Sequence, residues 1–429
     1  MNRVVVLVSL LSLLGCTVGP DYVRPVPDQL VTAADYASTA YGNEAESENE
    51  TVVEVELGPP PDAAWWQAVG DPTLVELIDE AVRHNLDLEA ARARVRQARA
   101  ARRAVAADKA PQIGGSASAE RARAGVSTPE GAIASAGFAE LTQNRYDTFL
   151  SASWELDVFG GVQHATEAAD ARLDLAIEGV NGVVLGLIAE VARNYIDLRG
   201  NQRRLALAEE NVALQTETAR RVADLHRVGL GSKLDADRAQ AQLAGTRARL
   251  APLRASIRAT THRLAVLTGQ PPHALLDRLS STAPLAEPPD WVEVGVPTDL
   301  VRRRPDLRVA ERRLAASTAE IGVATANLYP RFFLSGAGGL TTTEASDVLD
   351  VVNRTWRLGP SISWPIFQGG RLRAGVLAAE AERDAGWAEF RQAVLVAIEE
   401  VETALVGYVE EERRRRSLTE AAAASAEAA

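Results

Sequence analysis

The chain has 429 residues, 46% of them apolar but only 5% aromatic, and a formal net charge of -12. The acidic balance argues against nucleic acid as a partner, because such binding requires a concentrated basic patch. One cysteine leaves no internal disulfide framework and no cysteine-based zinc site, and an Ala-rich apolar fraction suits long, closely packed helices.

At the N-terminus, Arg3 is followed by the apolar run VVVLVSLLSLL and then Gly15-Cys16. That is the form of an export signal over residues 1–15. No stretch reaches the ~18 to 20 apolar residues a spanning helix needs. The segment LLGC resembles a lipobox, so Cys16 is the expected lipidated first residue of the mature chain. Several acyl chains there would hold it to membrane lipid. A plain secretory signal with a chance cysteine is the alternative. Residues 16–64 follow as a lipidated extended segment and linker, in which 40–64, with NEAESENE and GPPP, reads as exposed and acidic.

Asp71 is a suitable N-cap, with Pro72 at the first helical position. From there to Ala110 there is no internal Pro or Gly, which predicts one helix of about 60 Å, stopped by Pro111. Strands are expected near 112–119 and 145–156. In the second of these Tyr146, Thr148, Leu150, Ala152, Trp154 and Leu156 alternate with Asp147, Phe149, Ser151, Ser153 and Glu155, giving an apolar and a polar face. Gly160-Gly161 then marks a joint where the chain enters a helix without side-chain crowding.

A coiled-coil hairpin is expected over 162–269. The helix runs to about Val228, breaks at Gly229–Ser232 and resumes with Leu234. Leu243, Leu250, Leu253, Ile257, Leu264 and Leu267 on the return limb keep the spacing of a seam. Leu205, Ala208, Val212, Ala219 and Val222 answer it on the outgoing limb.

The chain then repeats itself. Residues 82–116 align without gaps against 301–335, and Trp154 recurs as Trp364, so the offset drifts only from about 219 to about 210. Pro305 begins and Pro330 ends the equivalent helix. The equivalent strands lie near Phe332–Leu340 and over Trp356–Ile366, where Trp356, Leu358, Ile362, Trp364 and Ile366 share a face. The equivalent joint is Gly369-Gly370. Two copies this long indicate a tandem duplication. The organisation expected is therefore a first repeat at 65–290 and a second at 291–429. The second reads as truncated before its return helix. Loops at 120–144 and 342–354 are the expected extracellular ones.

A half-buried soluble sheet is the ordinary reading of alternating strands. On an exported, lipid-anchored chain with Trp at strand ends, a membrane barrel with aromatic girdles fits better. Four strands cannot close, and open edges cannot sit in lipid. Two copies of the chain would give a bore filled by side chains, whereas three give twelve strands and a water-filled passage. Three is the expectation.

The residues also match a known family. CTVGPDYVRPVPDQL, WWQAVGDPTLVELIDEAVRHNLDLEAARARV, SWELDVFGG, EVARNYIDLRGNQRRL, VPTDLVRRRPDLRVAERRLAASTAEIGVATANLYPRFFLSG and SWPIFQGG stand in that order along residues 16–429. Together they resemble the lipoprotein branch of TolC-like outer-membrane efflux proteins, of OprM or NodT type. The resemblance implies a mainly α fold with a small transmembrane β part. In it a homotrimer builds a twelve-stranded β-barrel continued by a long periplasmic α-helical barrel. It also implies a role as the passive exit duct of a tripartite pump, with a periplasmic adaptor and an inner-membrane transporter as partners. In the family the narrow acidic gate lies on the second return helix. Because the chain stops at AAAASAEAA, those gate residues are missing, and this chain by itself is not expected to close a normal tunnel.

Catalysis has no positive support. His84, His164, His226, His262 and His273 are scattered without ligand spacing, and no phosphate loop, nucleophile elbow or zinc-protease helix is present. No cofactor and no metal are expected. The hairpin tip, with Leu225, Gly229, Ser232, Leu234 and Asp235, is the best interaction candidate. An ordinary helix-hairpin turn explains its Gly and Ser equally well, and the family resemblance favours adaptor docking. Arg413–Arg416 reads as a solvated helix face paired with Glu410–Glu412. The run RRRPD at 302–306 reads as a helix start and surface charge cluster. The competing function is a lipid-anchored periplasmic coiled-coil scaffold or adaptor, which would lack two separated strand pairs.

Overall fold

The computed structural model describes residues 17–26, 55–57, 64–138, 140–283, 292–294 and 297–427. The signal over 1–15, Cys16 and most of the 16–64 linker lie outside the described residues. The chain divides into two compact units. The first holds Arg96–Leu175, Ala310–Arg391 and the described residues before Val26. The second holds Ala176–Val309, Gln392–Ala429 and the described residues from Val26 to Val95. Each unit thus draws on both halves of the sequence.

In the first unit, strands β2 (Gln112–Arg123), β3 (Thr142–Leu156), β5 (Arg331–Thr342) and β6 (Arg354–Ser363) form one antiparallel sheet in the order β2-β3-β5-β6. The first hairpin is longer than the alternation alone implied. Polar Glu120–Arg123 pair with Thr142–Arg145, so strand continues where a loop was expected. The 120–144 loop shrinks accordingly and carries a short helix, Pro129–Ser135, capped by Thr128. In the 342–354 loop, one-turn helices form at Ala345–Asp347 and Val351–Asn353. β6 ends at Ser363, short of the expected Ile366. Pro365 has no N–H to continue a ladder, whereas Pro360 lies within β6, opposite Leu334 of β5.

The expected single helix from Asp71 to Ala110 is two helices, Pro72–His84 and Leu86–Ala106, followed by a tight turn over Ala107–Lys109. The break is at Asn85, whose backbone is extended (φ -65°, ψ 130°). Its side-chain oxygen accepts from Leu88 N at 3.0 Å, and its amide donates to Leu267 O at 3.0 Å. A cap and a tertiary bond together replace one turn of helix, a trade that residue spacing does not signal. Asp71 caps the first of these helices as expected, accepting from Thr73 N at 2.8 Å. The helix Pro305–Ala326 begins at its proline but ends four residues before Pro330.

Four helices pass from one unit's residues to the other's, the longest being Gly161–Arg227. In the second unit, that helix meets Pro72–His84 and the return helix Leu250–Leu267 around a core that includes Leu77, Leu88, Val191, Leu198, Leu264 and Leu279. The hairpin's return limb is not continuous. It comprises Lys233–Ala248 and Leu250–Leu267, parted at Arg249. Pro252 explains the interruption, since it lacks the N–H for an i→i−4 bond and crowds the carbonyl of residue 248. Leu243, Leu264 and Leu267 of the expected seam are buried, as is Ala219 opposite.

Two further sequence readings need correction. Residues 55–57, assigned to the linker, form a strand, β1, that pairs in parallel with β4 at Val292–Val294. The helix Gly161–Arg227 also contains an 18-residue window of mean hydropathy 1.7, long and apolar enough by composition to cross a membrane. Glu178 and Glu190 interrupt it, so it is not an unbroken apolar run. Several of its apolar residues, among them Leu187, Ile188 and Val191, are spent on the helical core.

Candidate functional site

The strand register decides which side chains share a surface. Residues paired directly across an antiparallel ladder point to the same side. One face therefore gathers Ile113, Leu150, Trp154, Leu334, Leu358 and Ile362, and the other gathers Gln112, Ser151, Glu155, Arg331, Arg357 and Ser361. Both faces are largely open. Leu150, Leu358 and Ile362 expose 62%, 69% and 65% of their surface. A sheet with an uncovered apolar face and an uncovered polar face has the surfaces of a wall between lipid and water.

The polar face is internally wired. Arg331 Nε donates to Glu155 Oε1 at 2.8 Å, Arg145 Nε donates to Asp147 Oδ2 at 2.8 Å, and Thr341 Oγ1 donates to Asp147 Oδ1 at 2.8 Å. A Cβ at Gly339 would lie 1.9 Å from Thr148 O and 2.9 Å from the Phe149 ring. An aromatic side chain thus covers a bare glycine across the ladder. The two tryptophans that the sequence makes equivalent behave alike. Trp154 Nε1 donates to Lys109 O at 3.0 Å, and Trp364 Nε1 donates to Leu328 O at 3.1 Å. Each carbonyl belongs to the turn before a strand, so each indole pins a strand end.

The joints below the strands are less alike than the Gly-Gly pairs implied. Gly160 (φ 79°) and Gly370 (φ 87°) each precede the first residue of a helix, Gly161–Arg227 and Arg371–Glu427. Gly161 is therefore helical, and the counterpart of Gly160 is Gly370; Gly369 (φ 58°) occupies a further left-handed position. Relief of crowding, expected at both joints, applies only to the first. A Cβ on Gly160 would meet Thr17 at 2.9 Å and one on Gly161 would meet Ala326 at 3.2 Å, while Gly369 and Gly370 have nothing within 4 Å. Positive φ alone asks for glycine at the second joint.

What crowds the first joint is the N-terminal stretch Thr17–Arg24, which the sequence reading treated only as extended. Val18 N donates to Phe159 O at 3.1 Å, and a Cβ on Gly19 would lie 2.6 Å from Gly322 Cα. The Tyr22 hydroxyl donates to Glu311, with the Arg312 guanidinium 6.0 Å from the tyrosine ring centre and Arg24 3.8 Å from Glu311. Burial, then the bond to Glu311, pushes the Tyr22 hydroxyl well above its ordinary pKa. Tyr22, Glu311 and Arg312 were not singled out from sequence. They are remote in sequence, and only the alternation of Tyr22 and Arg24 in an extended segment hints at one docked face.

The hairpin tip lies in the second unit. Gly229 takes φ 80°, Leu230 N donates to Leu225 O at 2.9 Å, and Gly229 N donates to His226 O at 3.0 Å, closing the outgoing helix. Ser232 then caps the return helix, accepting from Asp235 N at 3.1 Å and donating to Asp235 Oδ2 at 2.6 Å. Gly229, Ser232 and Asp235 are thus used up in making the turn. Leu225 and Leu234 remain available, 47% and 57% exposed. Val228 and Leu230, missed from sequence, are more exposed at 65% and 78%. They flank the glycine and carry no periodicity of their own.

A two-faced four-stranded sheet joined by left-handed glycines to helices of 67 and 57 residues defines a membrane-channel class of protein. The model of the outer membrane efflux protein family matches residues 77–270 and 296–429. The chain is 33% identical to Nodulation protein T of Rhizobium leguminosarum bv. trifolii, over 95% of this chain and 82% of that one. It is 29% identical to the solvent efflux pump outer membrane protein SrpC of Pseudomonas putida, over 92% of this chain and 80% of that one. The solved outer-membrane channel OprN superposes with a TM-score of 0.82 at 38% identity, covering 94% of this chain and 86% of that one. The chain belongs to the outer membrane efflux protein family. It is a component of the outer membrane, and its relatives SrpC and OprN are an efflux component and a channel rather than enzymes.

Proposed function

We propose that this protein is the exit duct of a tripartite efflux pump, carrying small molecules passively out of the cell. Three copies would complete a twelve-stranded barrel. The observation that supports this most is the sheet: one face apolar, one face polar, and both outer strands, β2 and β6, without a further partner strand among the described residues. Open edges are incompatible with lipid, so the ring must be closed by further copies. The two repeats, 65–290 and 291–429, each contribute one hairpin to it. The apolar face meets lipid and the serine-rich face lines the passage. A lipidated Cys16 would tether the chain to the membrane, and the docked stretch Thr17–Arg24 would fix that tether close to the first joint. No catalytic residue is assigned.

Purified protein in a planar bilayer should give steady unitary ion conductance, and its absence from well-inserted protein would sink the duct reading. The exposed leucines of the tip are assigned to a periplasmic adaptor, which in turn works with an inner-membrane transporter. Leu225→Asp should abolish complementation of efflux while oligomers and membrane insertion persist. Unchanged drug resistance in that variant would remove the docking assignment.

A further inference from the structure

The correspondence between the two halves of the sequence extends to strand pairing. Gln112 pairs with Ser153, and their counterparts Arg331 and Ser363 pair with each other. Ile113 pairs with Ala152, and Phe332 with Ile362 in the same way. Both hairpins therefore share one register. Among the described residues a second strand meets a following first strand only once, at β3 against β5. The other second strand, β6, and the other first strand, β2, are both left as edges.

Resting on the channel reading above, we propose that β6 of one copy pairs with β2 of a neighbouring copy in the register of the β3–β5 junction. Ser361 would then lie opposite Ser118, and Gly359 opposite Glu120. These are the counterparts of Ser151 opposite Ala337 and Phe149 opposite Gly339.

Two independent features agree with this register. The first is the match of faces. Ser361, Gly359 and Arg357 fall beside Ser118 and Glu120 on the polar side, and Leu358 and Ile362 fall beside Ala117 and Ala119 on the apolar side. A slip of one residue would turn every side chain to the wrong face.

The second feature is charge, which selects among slips of two. In the chain's own junction Glu155 lies opposite Phe333 and binds Arg331, two residues before it. The proposed seam places Arg357 opposite Ala122, and Glu120 stands two residues before that, in the same diagonal sense. Long side chains on such diagonals reach one another. Among the described residues neither Glu120 nor Arg357 has an ion-pair partner in its own chain. Arg145, opposite Glu120, is held instead by Asp147. The seam would join these two charges across the boundary between copies, on the channel-lining face.

Paired cysteines test the register in native outer membranes. Ser118→Cys with Ser361→Cys should oxidise to covalent trimers several-fold more than Ser116→Cys with Ser361→Cys, with the single variants as blanks. Preferential cross-linking of the shifted pair would overturn the register and leave the channel reading standing. So would failure of both pairs in protein that remains trimeric. A chain that is monomeric in the membrane yet conducts would overturn the oligomeric barrel itself. Charge exchange tests the ion pair: Glu120→Arg and Arg357→Glu should each lower recovery of trimers from mild detergent, and the double exchange should restore it. Two losses without restoration would overturn the pairing of these residues.

Discussion

The helical core and the strand sheet of this chain are stabilised in opposite ways. Around Leu77, Leu198 and Leu264 the second unit buries apolar side chains completely within one chain. Every residue of β2 and nearly every residue of β6 is exposed, and Ile113, Leu150, Leu358 and Ile362 on the sheet's apolar face are exposed too. Burial from water drives the first region. The second has its ladder bonds but little packing, so it needs lipid on one side and neighbouring strands at its edges. One polypeptide thus contains a part that is complete in itself and a part that presupposes an assembly.

Truncation in the core should separate the regions most sharply. Leu264→Ala, at a site with 0% exposure, should cost about 2–5 kcal/mol, read as a lowered denaturant midpoint of the detergent-solubilised protein. Leu150→Ala, on the open face of the sheet, should change that midpoint far less; an equal loss would show that the sheet carries a core of its own. Next comes the helix break. Asn85→Ala removes both the cap on Leu88 and the bond to Leu267 O, leaving a buried carbonyl unpaired, and should cost about 1–3 kcal/mol by the same assay.

The two joints offer a finer comparison. Gly370→Ala should cost only its left-handed backbone, about 1–2 kcal/mol. Gly160→Ala adds a clash with Thr17, so it alone should also free the N-terminal stretch, detected as protease cleavage near Tyr22. Equal cleavage in the two variants would contradict the asymmetry. The smallest expected effect is in surface ion pairs. Arg220 and Arg221 hold the Glu217 carboxyl down at about 2, and Arg415 and Arg416 do the same for Glu412. A depressed carboxyl contributes stability above its unfolded value, 4.5, and loses it as pH falls toward about 2. Thermal melting between pH 6 and pH 2 should show this loss, reduced in Glu217→Gln. Solvent screening keeps it small.

Charge clusters show how far local pattern carries. The run Arg413–Arg416 pairs with Glu410, Glu411 and Glu412 at 2.7 to 3.1 Å, as helical spacing dictates. The run at 302–306 went further than its sequence suggested. Arg304 bonds Asp306 but also Glu400 and the Ala397 carbonyl, joining two helices, and this pairing, Asp306 foremost, raises its pKa further. Nothing local identifies a partner nearly a hundred residues away.

The amino-acid sequence by itself determined the alternating faces, the hairpin with its seam and the glycines that end each strand pair. All of these follow from short-range periodicity and from backbone conformations only certain residues adopt. Tertiary structure decided the break at Asn85, the pairing of β1 with β4, the docking of Thr17–Arg24 and the shared register of the two strand hairpins. Each of these depends on which distant groups come within bonding distance, and that is a property of the packed chain.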